Sequence, residues 1–307
     1  MAVRSQVPLE AAGSEPAYRF PGPCEARCPL GGEISAGGAK PPGAVSCRLP
    51  AMGAPPAMLR VLATSEPYYR RDLALVHDLG FGFHADACAP SILALLKPIR
   101  DRGGLVLELG CGSGRLTRHL VEAGHRVVAT DASPAMLELA RDVAPGAEAI
   151  RRLVLPDDPL PDCDAIVSVG HVLSYLPDEA SVEGALVAAA AALRPRGVFA
   201  IDLCDLRWGE ALPAGESQGR VGDDWAVITR FTLPRANVFV REITTFVRDE
   251  DGAWRRDDER HETVLMDTSR LPALLARHGL EVRVSTSFGD EVLPNGLVAI
   301  VGRRRPA

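Results

Sequence analysis

Three glycines at alternate positions, Gly110, Gly112 and Gly114, directly follow a short apolar run at residues 105–109. An apolar run without alternation is typical of a strand that is buried on both faces of a parallel sheet. Apolar residues then recur at helical spacing from Leu116 onwards, so the glycines occupy the turn between a strand and a helix. Because glycine has no side chain, such a turn can lay its backbone amides against a ligand.

Asp131 stands at the end of the next predicted strand. Residues 126–129 form a second apolar run, and Asp131 follows the glycines by about 20 residues, which is the spacing found in nucleoside-binding units. A carboxylate at the tip of that strand can accept hydrogen bonds from both hydroxyls of a ribose. The strand, turn, helix and second strand therefore predict a nucleoside site.

The glycine spacing distinguishes two kinds of nucleoside site. A dinucleotide fingerprint has glycine or alanine three residues after its second glycine, but this chain has Arg115 there. Glu108 instead precedes glycines at alternate positions, and Asp131 closes the following strand. This pattern resembles the class I S-adenosylmethionine (SAM)-dependent methyltransferases. The resemblance implies that the glycines pack against the amino-acid half of SAM and that Asp131 holds its ribose.

The resemblance also implies cofactor contacts after two later strands. It places an adenine contact on the loop that follows residues 149–155, where Asp157 and Asp158 are both candidates. It places SAM beside the end of the fourth strand, at Gly170 and His171. The complete set of implied cofactor-binding residues is Glu108, Gly110, Cys111, Gly112, Gly114, Asp131, Ala132, Asp157, Gly170 and His171.

His171 is the catalytic candidate, because the resemblance implies that the end of the fourth strand faces the reactive methyl group. A neutral imidazole could act as the base for a hydroxyl acceptor. A packing or SAM-contacting role for His171 is equally consistent with the sequence. The substrate-side candidates are Tyr68, Tyr69, Arg70, Tyr175, Arg207 and His261. The alternatives are core packing for Tyr68 and Tyr69 and solvated positions for Arg70 and His261.

The resemblance covers residues 66–304 and implies a Rossmann-like α/β fold. The expected core is a doubly wound, mostly parallel seven-stranded sheet whose final strand is antiparallel. Residues 224–266 alternate apolar and polar side chains, which predicts an antiparallel β insertion of about three strands. We expect a methyltransferase domain at residues 58–304, with residues 206–267 as a lid over the acceptor pocket.

Residues 1–57 differ in composition from the rest of the chain. They hold 10 of the 25 prolines and 8 of the 29 glycines, without a sustained helical or strand period. A segment of this kind buries too little apolar surface to offset its ordering entropy, so we expect disorder. Met52 and Met58 precede the first patterned residues, which leaves open whether the segment belongs to the native protein.

Composition limits the partners and the compartment. The net charge is −6 and the isoelectric point is near 5.7, which does not favour nucleic acid binding. No apolar run approaches the roughly 20 residues of a membrane span, so we expect a cytoplasmic protein without a membrane partner. The seven cysteines lack zinc-site spacing, so no metal is predicted.

Three functions compete at this point. The first is methyl transfer from SAM to an oxygen or nitrogen of a small-molecule acceptor, which requires mainly that the reacting atoms are held in line. The second is a regulatory or partner module that binds SAM without catalysis. The third is a nicotinamide-dependent oxidoreductase, against which Arg115 argues. The sequence leaves the identity of the acceptor and the oligomeric state open.

Overall fold

A seven-stranded sheet forms the centre of the fold. The computed structural model describes residues 68–210 and 217–306, and the expected disordered segment, residues 1–57, lies outside the described residues. The strands are β1 (Leu105–Leu109), β2 (Arg126–Asp131), β3 (Ala149–Arg152), β4 (Cys163–Ser168), β5 (Leu193–Cys204), β6 (Ser217–Val221), β7 (Trp225–Arg235), β8 (Val238–Arg248), β9 (Trp254–Val264), β10 (Leu280–Ser285) and β11 (Leu297–Arg304). The helices are α1 (Arg71–Phe81), α2 (Phe83–Arg100), α3 (Arg115–Glu122), α4 (Pro134–Val143), α5 (Glu179–Ala192) and α6 (Leu271–Ala276).

The order of strands in this sheet is β10-β11-β5-β4-β1-β2-β3. Strands β1 to β5 pair in parallel, whereas β11 is antiparallel to both β5 and β10. The predicted fold class is therefore confirmed. The chain builds β2 and β3 on one side of β1, and β4 and β5 on the other. The carboxyl ends of β1 and β4 thus flank the switch point at which doubly wound sheets bind ligands.

Apolar side chains cover both faces of the sheet. Val106, Val127 and Ala165 pack with the helices α2, α3 and α4, whereas Leu107 and Ile166 pack with α5 and α6. Neighbouring residues of one strand point to opposite faces, so burial on both sides favours a largely apolar run without alternation. This is the pattern on which the assignment of β1 depended.

Side-chain caps begin two of the helices, α4 and α5. The Ser133 hydroxyl accepts a hydrogen bond from the Met136 N–H at 3.1 Å, and Pro134 occupies the first helical position of α4. At α5, the Asp178 carboxylate accepts from the Ser181 N–H at 2.8 Å. These caps satisfy N–H groups that have no partner within the helix.

A second sheet contains β6, β7, β8 and β9 in that order, all antiparallel. The sequence predicted about three strands here. β6 was missed because four of its five residues are exposed and its apolar pattern is weak. The side chains that pack this sheet against α1 are buried and apolar: Leu73, Val76, Trp225, Val227, Ile243 and Val247.

Three element boundaries follow from local pairing and turns. β3 ends at Arg152, three residues before the end of the predicted stretch 149–155, and β5 begins at Leu193, because Leu193 already pairs with Cys163. The last helix begins as a 3-10 turn at Thr268–Arg270 and becomes α-helical in α6. The carboxyl ends of β1, β2, β4 and β5 lie at one edge of the sheet.

Candidate functional site

Only one of the three glycines in the turn after β1 has open space where a side chain would be. A Cβ atom on Gly110 would lie 2.3 Å from a methyl group of Val172, and one on Gly114 would lie 3.0 Å from the Cα of Ala140. At Gly112, which has a φ of +53°, no atom lies closer than 4.0 Å to a Cβ. Gly110 and Gly114 thus serve close packing, whereas Gly112 offers bare backbone to a ligand.

Asp131 is fixed at the tip of β2 by two backbone groups. Its Oδ2 accepts from the Gly112 N–H at 2.9 Å and its Oδ1 from the Ser133 N–H at 2.8 Å. Burial raises the pKa of Asp131, and these hydrogen bonds oppose that rise. Each carboxylate oxygen has a second lone pair, so Asp131 can still accept hydrogen bonds from two hydroxyl groups.

Glu108 lies buried between β1 and α3. Its Oε2 accepts a hydrogen bond from the Thr117 hydroxyl at 2.7 Å. Burial raises the pKa of Glu108 to about 8, and the Thr117 hydrogen bond offsets only part of that rise. Glu108 is therefore largely a neutral acid at pH 7.

The turn between α1 and α2 is fastened to α3. Asp78 Oδ1 accepts from the Ser113 hydroxyl at 2.8 Å and from Arg115 Nε at 3.0 Å. Gly82 separates α1 from α2, and a Cβ there would lie 2.0 Å from Arg115 Nε. Arg115, the residue at the third-glycine position of a dinucleotide fingerprint, thus holds α1 over the glycine turn.

His171 follows β4 in a constrained backbone. Gly170 and His171 have φ values of +102° and +49°, and their N–H groups donate to the Asp202 carboxylate at 2.9 Å and 2.7 Å. A left-handed backbone is uncommon for a residue with a side chain and clusters at functional sites. Asp202 is fully buried on β5, and its Oδ2 also lies 3.2 Å from His84 Nε2.

The imidazole of His171 lies between two aromatic rings. The ring centre of Tyr175 is 5.4 Å away and that of Trp208 is 5.5 Å away. The Nδ1 atom is buried and has no hydrogen-bond partner among the described residues. Burial, assisted by the positive charge of Arg241, lowers the pKa of His171 to about 3. The ring is therefore neutral at pH 7, and its Nδ1 is not used by any described residue.

A second group of side chains, here named the Arg241 cluster, joins the start of the described chain to the second sheet. It contains Tyr69, Tyr175, Arg241, Glu259 and His261. Arg241 Nη2 lies 3.3 Å from the Tyr69 hydroxyl and 3.3 Å from His261 Nδ1, and it donates to the Tyr175 hydroxyl. The two tyrosine hydroxyls are 3.0 Å apart.

Glu259 holds the lead-in segment against β9. Its carboxylate accepts from the N–H groups of Tyr69 and Arg70 at 2.9 Å and 2.8 Å, and its Oε2 lies 2.8 Å from His261 Nε2. The ring of Tyr68 packs on that of His261, with centres 4.4 Å apart. The result is an aromatic wall beside the end of β4.

Comparisons with known proteins agree with this geometry. A family profile described as a methyltransferase domain matches residues 106–197. An uncharacterized methyltransferase of Mycobacterium tuberculosis is 34% identical over 173 residues, which are 54% of this chain and 67% of that protein. This chain belongs to the class I SAM-dependent methyltransferases. Its cofactor is S-adenosylmethionine.

Two solved structures show the same fold. A SAM-dependent methyltransferase from Clostridium acetobutylicum has a TM-score of 0.63 at 17% identity, with 76% of this chain and 97% of that chain covered. The sugar N-methyltransferase KedS8 from Streptoalloteichus has a TM-score of 0.62 at 24% identity, with 78% and 97% covered. The similarity extends well beyond the glycine turn, to most of the residues described here.

The methyltransferase fold brings several of the predicted residues together. Tyr68, Tyr69, Tyr175 and His261 form one aromatic group, next to His171. The alternative of a solvated His261 is wrong, because this side chain is fully buried. It is buried because it lies on the β9 face that carries Glu259 and Thr263.

Other predicted residues lie outside this group. Arg70 pairs with Asp257, with Nη2 and Oδ1 2.6 Å apart. Arg207 is exposed, and its Nε lies 3.7 Å from Asp205 Oδ1. Asp157 is exposed, whereas Asp158 accepts a hydrogen bond from the Val154 N–H at 2.7 Å. Neither aspartate is singled out as the adenine contact.

Sequence reasoning missed Arg241, Glu259 and Trp208. Arg241 lies on the opposite face of β8 from Val238 and Val240. The sequence feature that could have identified Arg241 is its position on the same face of the strand as the buried Ile243, Thr245 and Val247. An arginine among apolar residues at period two indicates a buried charge.

Neither a metal group nor a single membrane-spanning helix is found in residues 68–210 and 217–306. No three His, Cys, Asp or Glu side chains are grouped there as metal ligands would be. No single helix of this part is both long and apolar enough to cross a membrane. Helices α1 and α2 reach that length and composition only as a pair, bent by 64°.

Proposed function

We propose that this methyltransferase transfers the methyl group of SAM to an oxygen or nitrogen of a small-molecule acceptor. The observation that carries the proposal is the meeting of three features at one sheet edge. These are the open backbone at Gly112, the Asp131 carboxylate, and the His171 ring with its aromatic neighbours. The first two suit a nucleoside and the third suits a compact organic acceptor.

The residues at the glycine turn fit the cofactor. Gly112 leaves room for the amino-acid half of SAM, and Asp131 retains lone pairs for the ribose hydroxyls. Glu108, Gly110, Cys111, Gly114 and Ala132 shape the turn around these contacts. Asp157 or Asp158, on the loop after β3, would reach the adenine. When bound, SAM supplies an activated methyl group and its own leaving group.

The acceptor would lie between the end of β4 and the second sheet. We assign Tyr68, Tyr69, Tyr175 and His261 to its wall, and residues 206–267 to a lid within a domain at residues 58–304. Rigid aromatic side chains with polar tips suit the binding of small polar molecules. One of the two solved structures described above is named a sugar N-methyltransferase, which supports testing amine acceptors first.

Positioning would supply most of the catalysis. Methyl transfer needs the acceptor atom, the methyl carbon and the sulfur in line, and well-oriented reactions of this kind gain about 7–11 kcal/mol from proximity. The neutral Nδ1 of His171 can accept a hydrogen bond from the acceptor's N–H or O–H group and so aim its lone pair.

Ligand binding and turnover test the proposal in that order. SAM and S-adenosylhomocysteine should raise the melting temperature of the protein, whereas NAD and NADP should not, because only a ligand of the native state stabilises it. Formation of S-adenosylhomocysteine is then measured with panels of small amines and alcohols. Binding of SAM without turnover on any panel member, including sugar amines, would contradict the proposed acceptor class.

A further inference from the structure

Arg241 carries a charge that no carboxylate neutralises within the described residues. Its partners there are the Tyr69 and Tyr175 hydroxyls and the His261 imidazole. Five of the other seven arginines of the same sheet have an Asp or Glu oxygen within 4.0 Å: Arg230, Arg248, Arg255, Arg256 and Arg260. A partly buried charge without a counter-ion is unfavourable. An anion that binds beside Arg241 would therefore stabilise it.

Among the described residues, only one of the three guanidinium nitrogens of Arg241 has a hydrogen-bond partner. All three of its hydrogen bonds to described residues use Nη2, so Nε and Nη1 retain their N–H donors. Glu259 lies on the same sheet face but is bonded to His261 and to two backbone N–H groups. The positive charge of Arg241 also affects the imidazole of His171. Burial lowers the pKa of His171, and the Arg241 charge lowers it further.

We propose that Arg241, with the Tyr69 and Tyr175 hydroxyls, binds an anionic group of the methyl acceptor, either a carboxylate or a phosphate. This inference rests on the proposed function and names the class of its acceptor. The Nε–H and Nη1–H groups of the guanidinium can each donate to either oxyanion, and the phenol hydroxyl that does not donate to the other phenol adds an O–H donor. His171 stacks on Tyr175 with ring centres 5.4 Å apart, so an anchored acceptor directs its nucleophile toward His171.

Anion binding to the protein saturated with S-adenosylhomocysteine is the first test. Inorganic phosphate and acetate are titrated while the histidine side-chain resonances are followed by NMR. Wild type should show saturable binding of at least one anion, and Arg241→Met should weaken it by at least about tenfold. The matched control is Arg230→Met, since Arg230 is an exposed arginine of the same sheet that pairs with Glu242. Equal binding in wild type and Arg241→Met, or none in wild type, overturns the proposal.

A second comparison identifies the source of the anion, because SAM also carries a carboxylate. S-adenosylhomocysteine has the amino-acid half of the cofactor and 5′-methylthioadenosine lacks it. Both should bind Arg241→Met as they bind wild type. A loss of about tenfold or more for S-adenosylhomocysteine alone assigns Arg241 to the cofactor and overturns the acceptor assignment.

The design separates this proposal from the proposed function. Failure of S-adenosylhomocysteine to bind wild type would contradict the proposed function, whereas anions can still be titrated into the cofactor-free protein. Circular dichroism checks the fold of each variant. If Arg241→Met does not fold, Arg241→Lys and Tyr175→Phe replace it, and each should weaken anion binding because it removes donors from the cluster. Unchanged anion binding in both overturns the proposal.

Discussion

The Asp131 carboxylate illustrates how one residue can serve the backbone and a ligand together. Two N–H groups, from Gly112 and Ser133, hold it in place before any ligand arrives. A preorganised acceptor loses little entropy on binding, so in the proposed site the ribose hydroxyls would meet a group already in position. The same hydrogen bonds tie the glycine turn to the tip of β2.

Removal of this carboxylate should therefore weaken SAM binding. We expect Asp131→Ala to lose about 1.5–3 kcal/mol, the range for hydrogen bonds to a charged group. Gly112→Val should lose more, because a branched side chain fills the open space and disfavours the positive φ. Calorimetry with SAM measures both, with Asp142→Ala, an exposed carboxylate on α4, as the control. Unchanged affinity in both variants would contradict the placement of the cofactor.

The catalytic role of His171 stays a prediction, and the structure sharpens its test. Because burial and the Arg241 charge lower its pKa to about 3, the ring accepts protons at neutral pH far less readily than an ordinary imidazole. If His171 is the base, His171→Gln should lower kcat by about 10²–10⁴-fold at unchanged SAM affinity.

The pH profile gives an independent check on His171. The neutral ring is the active form, so its contribution to the rate should be constant from pH 8 to 5 and fall only near pH 3. His171→Asn separates chemistry from backbone strain, since asparagine tolerates a left-handed φ. Near wild-type turnover in His171→Gln would rule out the base role and leave positioning as the main catalytic effect.

At the scale of elements, α1 connects the glycine turn to the second sheet. Asp78 at its end binds Ser113 and Arg115, and the buried Asp72 at its start receives two hydrogen bonds from Arg255 of β9. The helix is thus fastened to both parts of the site. Loss of either attachment should loosen the aromatic wall relative to the cofactor turn.

Asp72→Asn tests the attachment to the second sheet. Loss of the charge weakens two short hydrogen bonds, at 2.6 Å and 2.7 Å, to Arg255. We expect the free energy of unfolding to fall by about 1.5–3 kcal/mol. Asp224→Asn breaks an exposed pair with Arg248 and should change it by less than about 1 kcal/mol. Denaturant titration measures both, and equal effects would show that the Asp72 contact has no special role.

Elements were easier to predict from the sequence than side-chain groups. β1, β2 and β4 could be recognised because a strand buried on two faces needs an apolar run, and α4 and α5 because their caps are local. The Arg241 cluster could not, since its members are up to 192 residues apart and meet only after the second sheet forms. Which residues of β8 are buried depends on its packing partners, and both of its faces are buried at Val238, Phe239 and Val240, so the alternation alone does not single out Arg241.

For the whole molecule, buried titratable groups determine how stability depends on pH. Burial lowers the pKa of His77 and His261 to about 4 and that of His171 to about 3, from an ordinary 6.5. Burial raises the pKa of Glu108 from 4.5 to about 8. The three histidines therefore bind protons only when the protein unfolds, whereas Glu108 keeps a proton that the unfolded chain has lost.

These opposite shifts predict a stability maximum near pH 7 for the cofactor-free protein. Between about pH 4.5 and 6.5, unfolding takes up protons on the three histidines and releases one from Glu108. Stability therefore falls with decreasing pH, by up to roughly 3 kcal/mol per unit. Between about pH 7 and 8 these histidines are largely neutral in both states and Glu108 contributes the larger difference, so stability falls with increasing pH, by up to roughly 1.4 kcal/mol per unit.

Denaturant titrations from pH 5 to 8 measure both slopes. Glu108→Gln should abolish the decline above pH 7 and steepen the one below it. Persistence of the upper decline in Glu108→Gln would assign it to another group.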